Sequence, residues 1–323
     1  MRRLIAVLFA ASLHAIAWNA SAFCRTTTCN ELEENCVTDQ MGCMTAGHPL
    51  FWRGRCMSFG VDQRGSPKRG ISFEAALASI TQAYVPWTTA DCGGGKTPSL
   101  EIFQAPKPIA CDHQEYNSDD GNSNAWIFYD ADWPHDSIQL ALTTLSFAES
   151  GEIYDVDVEI NTADHDIALE PLTGQDDFLS VCTHEAGHFF GLAHSKVPGS
   201  TMENQLSADT SMRTLEADDI SGICTIYPPG REAPACSSTR TPRHGFSAEC
   251  GDHRGANDLS EDAGCCSMAP GRRGGSAWLL LVAVSAALGL IRLRAAKAPA
   301  GRNRAVRGPA RGARARAATR QCR

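Results

Sequence analysis

The chain has 323 residues, 43% of them hydrophobic, enough for a buried core in one or two domains together with processing segments. Its net charge of −8 conceals an uneven distribution: 15 of the 29 basic residues lie in 1–22 or beyond 271, whereas all 37 acidic residues fall between Glu31 and Asp262. Residues 24–264 therefore hold 14 basic against 37 acidic residues, a net −23, which excludes a nucleic-acid or anionic-membrane surface and suits cations, Ca2+ among them.

Residues 1–22 begin with Arg2 and Arg3, continue through an apolar run and end Ala20-Ser21-Ala22, the pattern of a secretory signal peptide cut after Ala22. The 14 cysteines then imply disulfides in an oxidising compartment. Cys24, Cys29, Cys36, Cys43 and Cys56 mark a Cys-rich segment at 23–56. With Cys92, Cys111, Cys182, Cys224, Cys236 and Cys250 they make eleven before Cys265-Cys266. One thiol is thus free, or pairs with that couple. A bridge between Cys182 and Cys224, on two expected helices, is the pairing we expect.

A strand is expected at 56–61 and a helix from a Ser72 cap to about Ala83, with Phe73, Ala76, Leu77 and Ile80 on one face. Short strands follow at 100–103 and 125–129, then a hairpin with arms 138–147 and 152–161 about Ser150-Gly151. In its second arm Tyr154, Val156, Val158 and Ile160 alternate with Asp155, Asp157 and Glu159, read as a solvated face rather than a cation site. Asp176 offers the N-cap of the next helix. A last helix spans 216–227 and stops at Pro228-Pro229. The order implies one compact α/β (α+β) domain over 57–230. Residues 231–264, rich in Pro, Ser and Gly, read as a Cys-containing stalk.

Residues 277–291, AWLLLVAVSAALGLI, carry no charge and are flanked by arginines. As a helix they span about 22 Å, short of a bilayer core of about 30 Å, and 265–291 is read as a sorting or membrane segment with its basic end inside. The tail 292–323 has no acidic residue and little to bury, and is expected to be disordered.

Chemistry concentrates at 184–195, His-Glu-Ala-Gly-His-Phe-Phe-Gly-Leu-Ala-His-Ser. On a helix, His184 and His188 share a face and can hold one ion, with Glu185 beside that ion rather than on it. Gly191 ends the helix in a left-handed conformation and lets the chain bring His194 back as a third ligand. Three histidines leave one tetrahedral position of Zn2+ open for a water, whose proton Glu185 takes as general base.

The pattern His-Glu-x-x-His-x-x-Gly-x-x-His is the metzincin signature. Within that clan the sequence resembles the matrixins, through Ser195 after the third histidine and through Leu215-Glu216-Ala217-Asp218-Asp219-Ile220-Ser221-Gly222-Ile223 with Ile226-Tyr227. The resemblance implies a metzincin fold: a twisted mixed β-sheet, an active-site helix and a C-terminal helix, with Met202 in a Met-turn beneath the histidines. It further implies a zinc endopeptidase whose protein or peptide substrate lies extended along an edge strand, here 138–147. Asp164, His165 and Asp166 are the candidate for a further cation loop. Gly264-Cys265-Cys266, with the apolar segment and arginines that follow, is similar to the C-terminal sorting signals of myxobacterial surface proteins and implies anchoring at the cell surface. The rival to an enzyme is a non-catalytic surface adhesion protein with a structural metal. Glu185 argues against it, because a structural metal has no use for a base.

Overall fold

The computed structural model describes residues 23–29, 36–205, 210–234, 236 and 242–250, and the backbone of 263–265. The expected signal peptide, the 277–291 helix, the basic tail and the Cys265-Cys266 thiols lie outside the described residues. Among those described, no helix is long and apolar enough to cross a membrane.

The architecture is mixed α/β. Strands β1 (Cys24–Arg25), β2 (Cys56–Val61), β3 (Glu101–Gln104), β4 (Ala125–Phe128), β5 (Ala141–Ala148) and β6 (Ile153–Ile160) include the five of one twisted sheet, ordered β5-β6-β4-β2-β3. Within it β2, β3, β4 and β6 are parallel, and β5 returns antiparallel on β6 through the expected hairpin. β5 thus lies beyond the parallel strands, but the expected edge is corrected over Ser146–Ala148, which a further strand covers. The backbone of Ala263–Cys265 pairs with its far end, Ser146–Ala148.

Helix α1 (Phe73–Thr89) starts where expected, its Ser72 hydroxyl accepting from Ala75 N, but runs six residues past Ala83. Pro86 removes one helical donor without ending it, because the last turn is anchored from outside. Trp87 is fully buried and its indole N–H donates to the carbonyl of Thr183. Helix α2 (Phe178–Phe189) packs beside α1 and is buried along its whole length. Its N-cap is Asp177, one residue later than expected, and Asp177 accepts from Ser180 N and pairs with Arg213. Helix α3 (Ala217–Ile226) closes the chain against this body, capped by Glu216 and Asp219 acting reciprocally. Tyr84, Trp87, Trp126, Phe189 and Phe190 form the aromatic centre between sheet and helices, with Tyr84 edge-on to Trp126, Phe189 and Phe190.

Two expectations are corrected. Cys224 pairs with Cys92, not Cys182, so the bridge ties α3 to the chain leaving α1 and Cys182 is a buried free thiol. Cys182 lies on α2 within the hydrophobic core and is in no disulfide among the described residues. The remaining bridges are Cys24–Cys43, Cys29–Cys36, Cys56–Cys236 and Cys111–Cys250. The last two, with the pairing of Asn122 to Phe246 and Ala110 to Glu249, fasten 242–250 onto the outer face of the sheet.

That cover explains the second correction. Asp155, Asp157 and Glu159 are not solvated but 2–3% exposed, beneath a small second core of Ile109, Cys111, Ala125 and Ile127. Their burial is satisfied by specific donors: Asp157 accepts from Ala125 N and Glu115 N, Asp155 from Asn124 N, and Glu159 pairs with His135. Burial and then the neighbouring Asp157 charge push the Asp155 carboxyl well up. Burial likewise pushes Asp157 up to about 7, against its two backbone N–H bonds.

A carboxyl raised on folding stabilises the fold fully below its unfolded pKa of about 4, and that contribution is lost as pH rises through its folded value, here about 7. Between pH 5 and pH 8 the parent should therefore lose more thermal stability than Asp157→Asn. Equal slopes in the two melting series would reject the buried-acid assignment.

Candidate metal and catalytic site

Helix α2 presents His184 and His188 one turn apart on the same face, and Gly191, at φ 88°, reverses the chain as expected. Strand β7 (Leu192–Ala193) then delivers His194. The three Nε2 atoms form a triangle of sides 3.1, 3.2 and 3.2 Å.

The protons on these rings are fixed by the backbone. His184 Nδ1 donates to the carbonyl of Thr201 at 2.6 Å and His188 Nδ1 to that of Leu192 at 2.8 Å. With those N–H groups committed, both Nε2 atoms carry lone pairs, and both face His194. Burial holds all three rings neutral: His184 is lowered to about 4, His194 to about 3 by burial and then by His184, and His188 well below the ordinary value by burial and then by the other two rings. Two Nε2 lone pairs and the Nε2 of a third neutral ring, set at this spacing, suit a cation. A tetrahedral ion with Zn–N bonds of about 2.0–2.1 Å would hold them about 3.3 Å apart, close to the observed spacing. The donor set fits Zn2+.

Glu185 is 5% exposed, and its Oε2 accepts from the Thr143 hydroxyl of β5. Burial raises its carboxyl to about 7, the Thr143 bond pulling the other way. Nothing in the sequence marked Thr143 beyond its place in the hairpin.

Met202, 1% exposed, packs against Gly187 from a turn whose N–H groups are gathered by one carboxylate of α3. Asp219 accepts from Thr201 N, Met202 N and Glu216 N. Its neighbour Asp218 accepts from Ser195 Oγ, directly after the third histidine. The two acids therefore hold both ends of the chain between His194 and Met202, closed further by Ser195 N on the carbonyl of Met202.

Asp164, His165 and Asp166 do not converge. Asp166 pairs with Arg69, His165 with Asp176, and Asp164 accepts from Asn161. Among the described residues the other cluster of ligand-type atoms, Cys56, Cys236 and Glu101, has its sulfurs joined in a disulfide. A cavity of about 490 Å3 lies elsewhere, bordered by Trp52, Ser58, Asn124, Tyr154 and Arg243 and by none of the histidines.

Part of the chain resembles known proteins. Residues 111–228 match the matrixin family, peptidase M10. This segment is matrixin-like. The chain is 48% identical over 52 residues to rat (Rattus norvegicus) matrilysin, covering 16% of this chain and 20% of that protein. It is 27% identical over 201 residues to matrix metalloproteinase-C of Caenorhabditis elegans, 60% of this chain and 32% of that one. It is also 29% identical over 112 residues to metalloendoproteinase 1-MMP of Arabidopsis thaliana, 33% of this chain and 29% of that one. The chain thus spans between about a fifth and a third of the length of these relatives. The matrixin-like segment contains β4 to β6, α2, His194, Met202 and α3.

Packing under the site leaves no slack at Gly187, between the two helical histidines. A Cβ there would lie 2.2 Å from Met202 Sδ and 2.7 Å from Trp87 Cζ2. Gly187→Ala should lower stability by about 1–3 kcal/mol through this overlap. Chemical denaturation checks it, and a variant as stable as the parent would show that the floor under the histidines is loose.

Proposed function

We propose that this chain is an exported, zinc-dependent endopeptidase. The observation that carries the reading is the triangle of three neutral, buried Nε2 atoms with Glu185 beside it. His184, His188 and His194 would hold the ion, and Met202 would serve as the Met-turn floor. Zn2+ bound there supplies Lewis-acid polarisation of a carbonyl and a lowered pKa for a water.

The chain's own residues divide the remaining work. Glu185 would take a proton on its carboxylate and pass it to the leaving amine. Thr143 fixes the plane of that carboxylate from β5. A peptide laid along the Ala141–Leu145 stretch of β5 would present its backbone to the same strand that positions the base. Substrates are therefore proteins or peptides in extended form.

The signal-peptide pattern of 1–22 and five disulfides support export to an oxidising compartment. The sorting-signal resemblance at 264–291 supports retention at a cell surface. The adhesion reading with a structural metal is disfavoured by Glu185 itself: a buried carboxylate held by a hydroxyl instead of a cation costs stability and contributes nothing to a closed metal site.

Purified parent, Glu185→Ala and His188→Ala proteins would have zinc counted per chain and would be assayed on casein with and without a chelator. We expect one zinc in the parent and in Glu185→Ala, chelator-sensitive cleavage by the parent alone, and neither zinc nor cleavage in His188→Ala. Loss of Glu185 should cost at least about 100-fold in turnover. Full activity in Glu185→Ala would overturn the proposed base.

A further inference from the structure

The Leu192 carbonyl has a second donor. Besides His188 Nδ1 it accepts from Thr26 Oγ1 at 3.1 Å, 166 residues away in the Cys-rich N-terminal segment. Thr26 is 2% exposed, and its own N–H donates to the carbonyl of Gly191, the residue that turns the chain. Immediately before it, β1 pairs antiparallel with β7, Cys24 opposite Ala193 and Arg25 opposite Leu192. The short run between the second and third histidines is therefore held as a strand by the N-terminal segment. On its other side the Thr26 carbonyl accepts from Leu50 N, and Arg25 reaches the carbonyl of Leu50. Cys24 is closed to Cys43 within the same segment.

We infer that the N-terminal Cys-rich segment is a built part of the metal centre, with Thr26 its positioning residue. Thr26 holds the carbonyl that sets the tautomer and orientation of His188, and β1 fixes the approach of His194. The inference rests on the zinc reading of the three histidines and adds that metal affinity depends on a segment outside the matrixin-like region. A metal-ligating histidine whose backbone acceptor is loosened loses the orientation of its lone pair, an effect of about 10–100-fold in affinity.

The test measures zinc affinity in the full chain by competition with a chromophoric chelator, with no use of peptidase activity, and follows the Co2+ absorption spectrum as a geometric readout. Thr26→Val, which keeps shape but removes the hydroxyl, should bind zinc about 10–100-fold more weakly and show an altered Co2+ band. Thr26→Ser should recover most of the affinity. Thr28→Val, in the same segment but bonded to His48 N, should bind as the parent does. A folded Thr26→Val with parental affinity and spectrum would overturn the inference, as would an equal loss in Thr28→Val. A parent that binds no zinc would overturn the metal reading itself, a distinct result. Melting curves of each variant separate weakened binding from misfolding, and the paired Cys24→Ser, Cys43→Ser variant should show the same direction of loss.

Discussion

Every part of this structure near the site serves one constraint: three imidazole nitrogens must face each other, unprotonated, inside a protein. Left alone, such a cluster would relax, because each ring gains by turning a donor towards its neighbour. For two of the three rings the chain opposes that by occupying the opposite nitrogen. His184 gives its Nδ1 proton to Thr201 and His188 gives its own to Leu192. The tautomers are thus decided by two backbone carbonyls, and the site is only as well defined as the loops that carry them.

Those two loops are held by unrelated devices. The Thr201 carbonyl belongs to a turn gathered around the Asp219 carboxylate, which also caps α3, so a single buried acid couples the closing helix to the ring of His184. Burial raises that carboxyl in spite of the three backbone N–H groups it accepts from, a sign of how far it is drawn into the interior. The Leu192 carbonyl belongs to a strand pinned by Thr26 and β1. Helix, turn and N-terminal segment therefore converge on the metal centre from three distances in sequence.

Local chemistry was legible in the sequence, and pairing across distance was not. The histidine spacing implies a shared helix face, and the Gly191 turn follows from glycine's access to positive φ. The hairpin follows from the alternation of its second arm, whereas the edge position expected of its first arm came from the matrixin resemblance. The same alternation misled for Asp155, Asp157 and Glu159, because period two says which residues share a face and nothing about what covers that face. Their cover comes from 105–124 and 242–250, a stretch read from composition as a stalk. Cysteine partners failed for the same reason: Cys92 and Cys224 lie 132 residues apart, and their approach is a product of the tertiary fold. Thr26 and Thr143 are ordinary threonines until the fold brings them to a carbonyl and a carboxylate.

The disulfides make physical sense beside the metal centre. Burying three lone pairs that point at one another, with a carboxylate next to them, is unfavourable until a cation arrives, so the cation-free state must be held by something else. The bridges lie where that strain would be released: Cys24–Cys43 beside the strand that carries Leu192, and Cys92–Cys224 on the helix that carries Asp219. Each restrains the unfolded chain and is indifferent to whether the ion is present. On the proposed zinc reading, metal binding would complete a geometry already formed, and its free energy would go into holding the ion rather than into folding the ligand loops. For a chain exported as proposed, that division of labour would keep the site ready for the ion after oxidation.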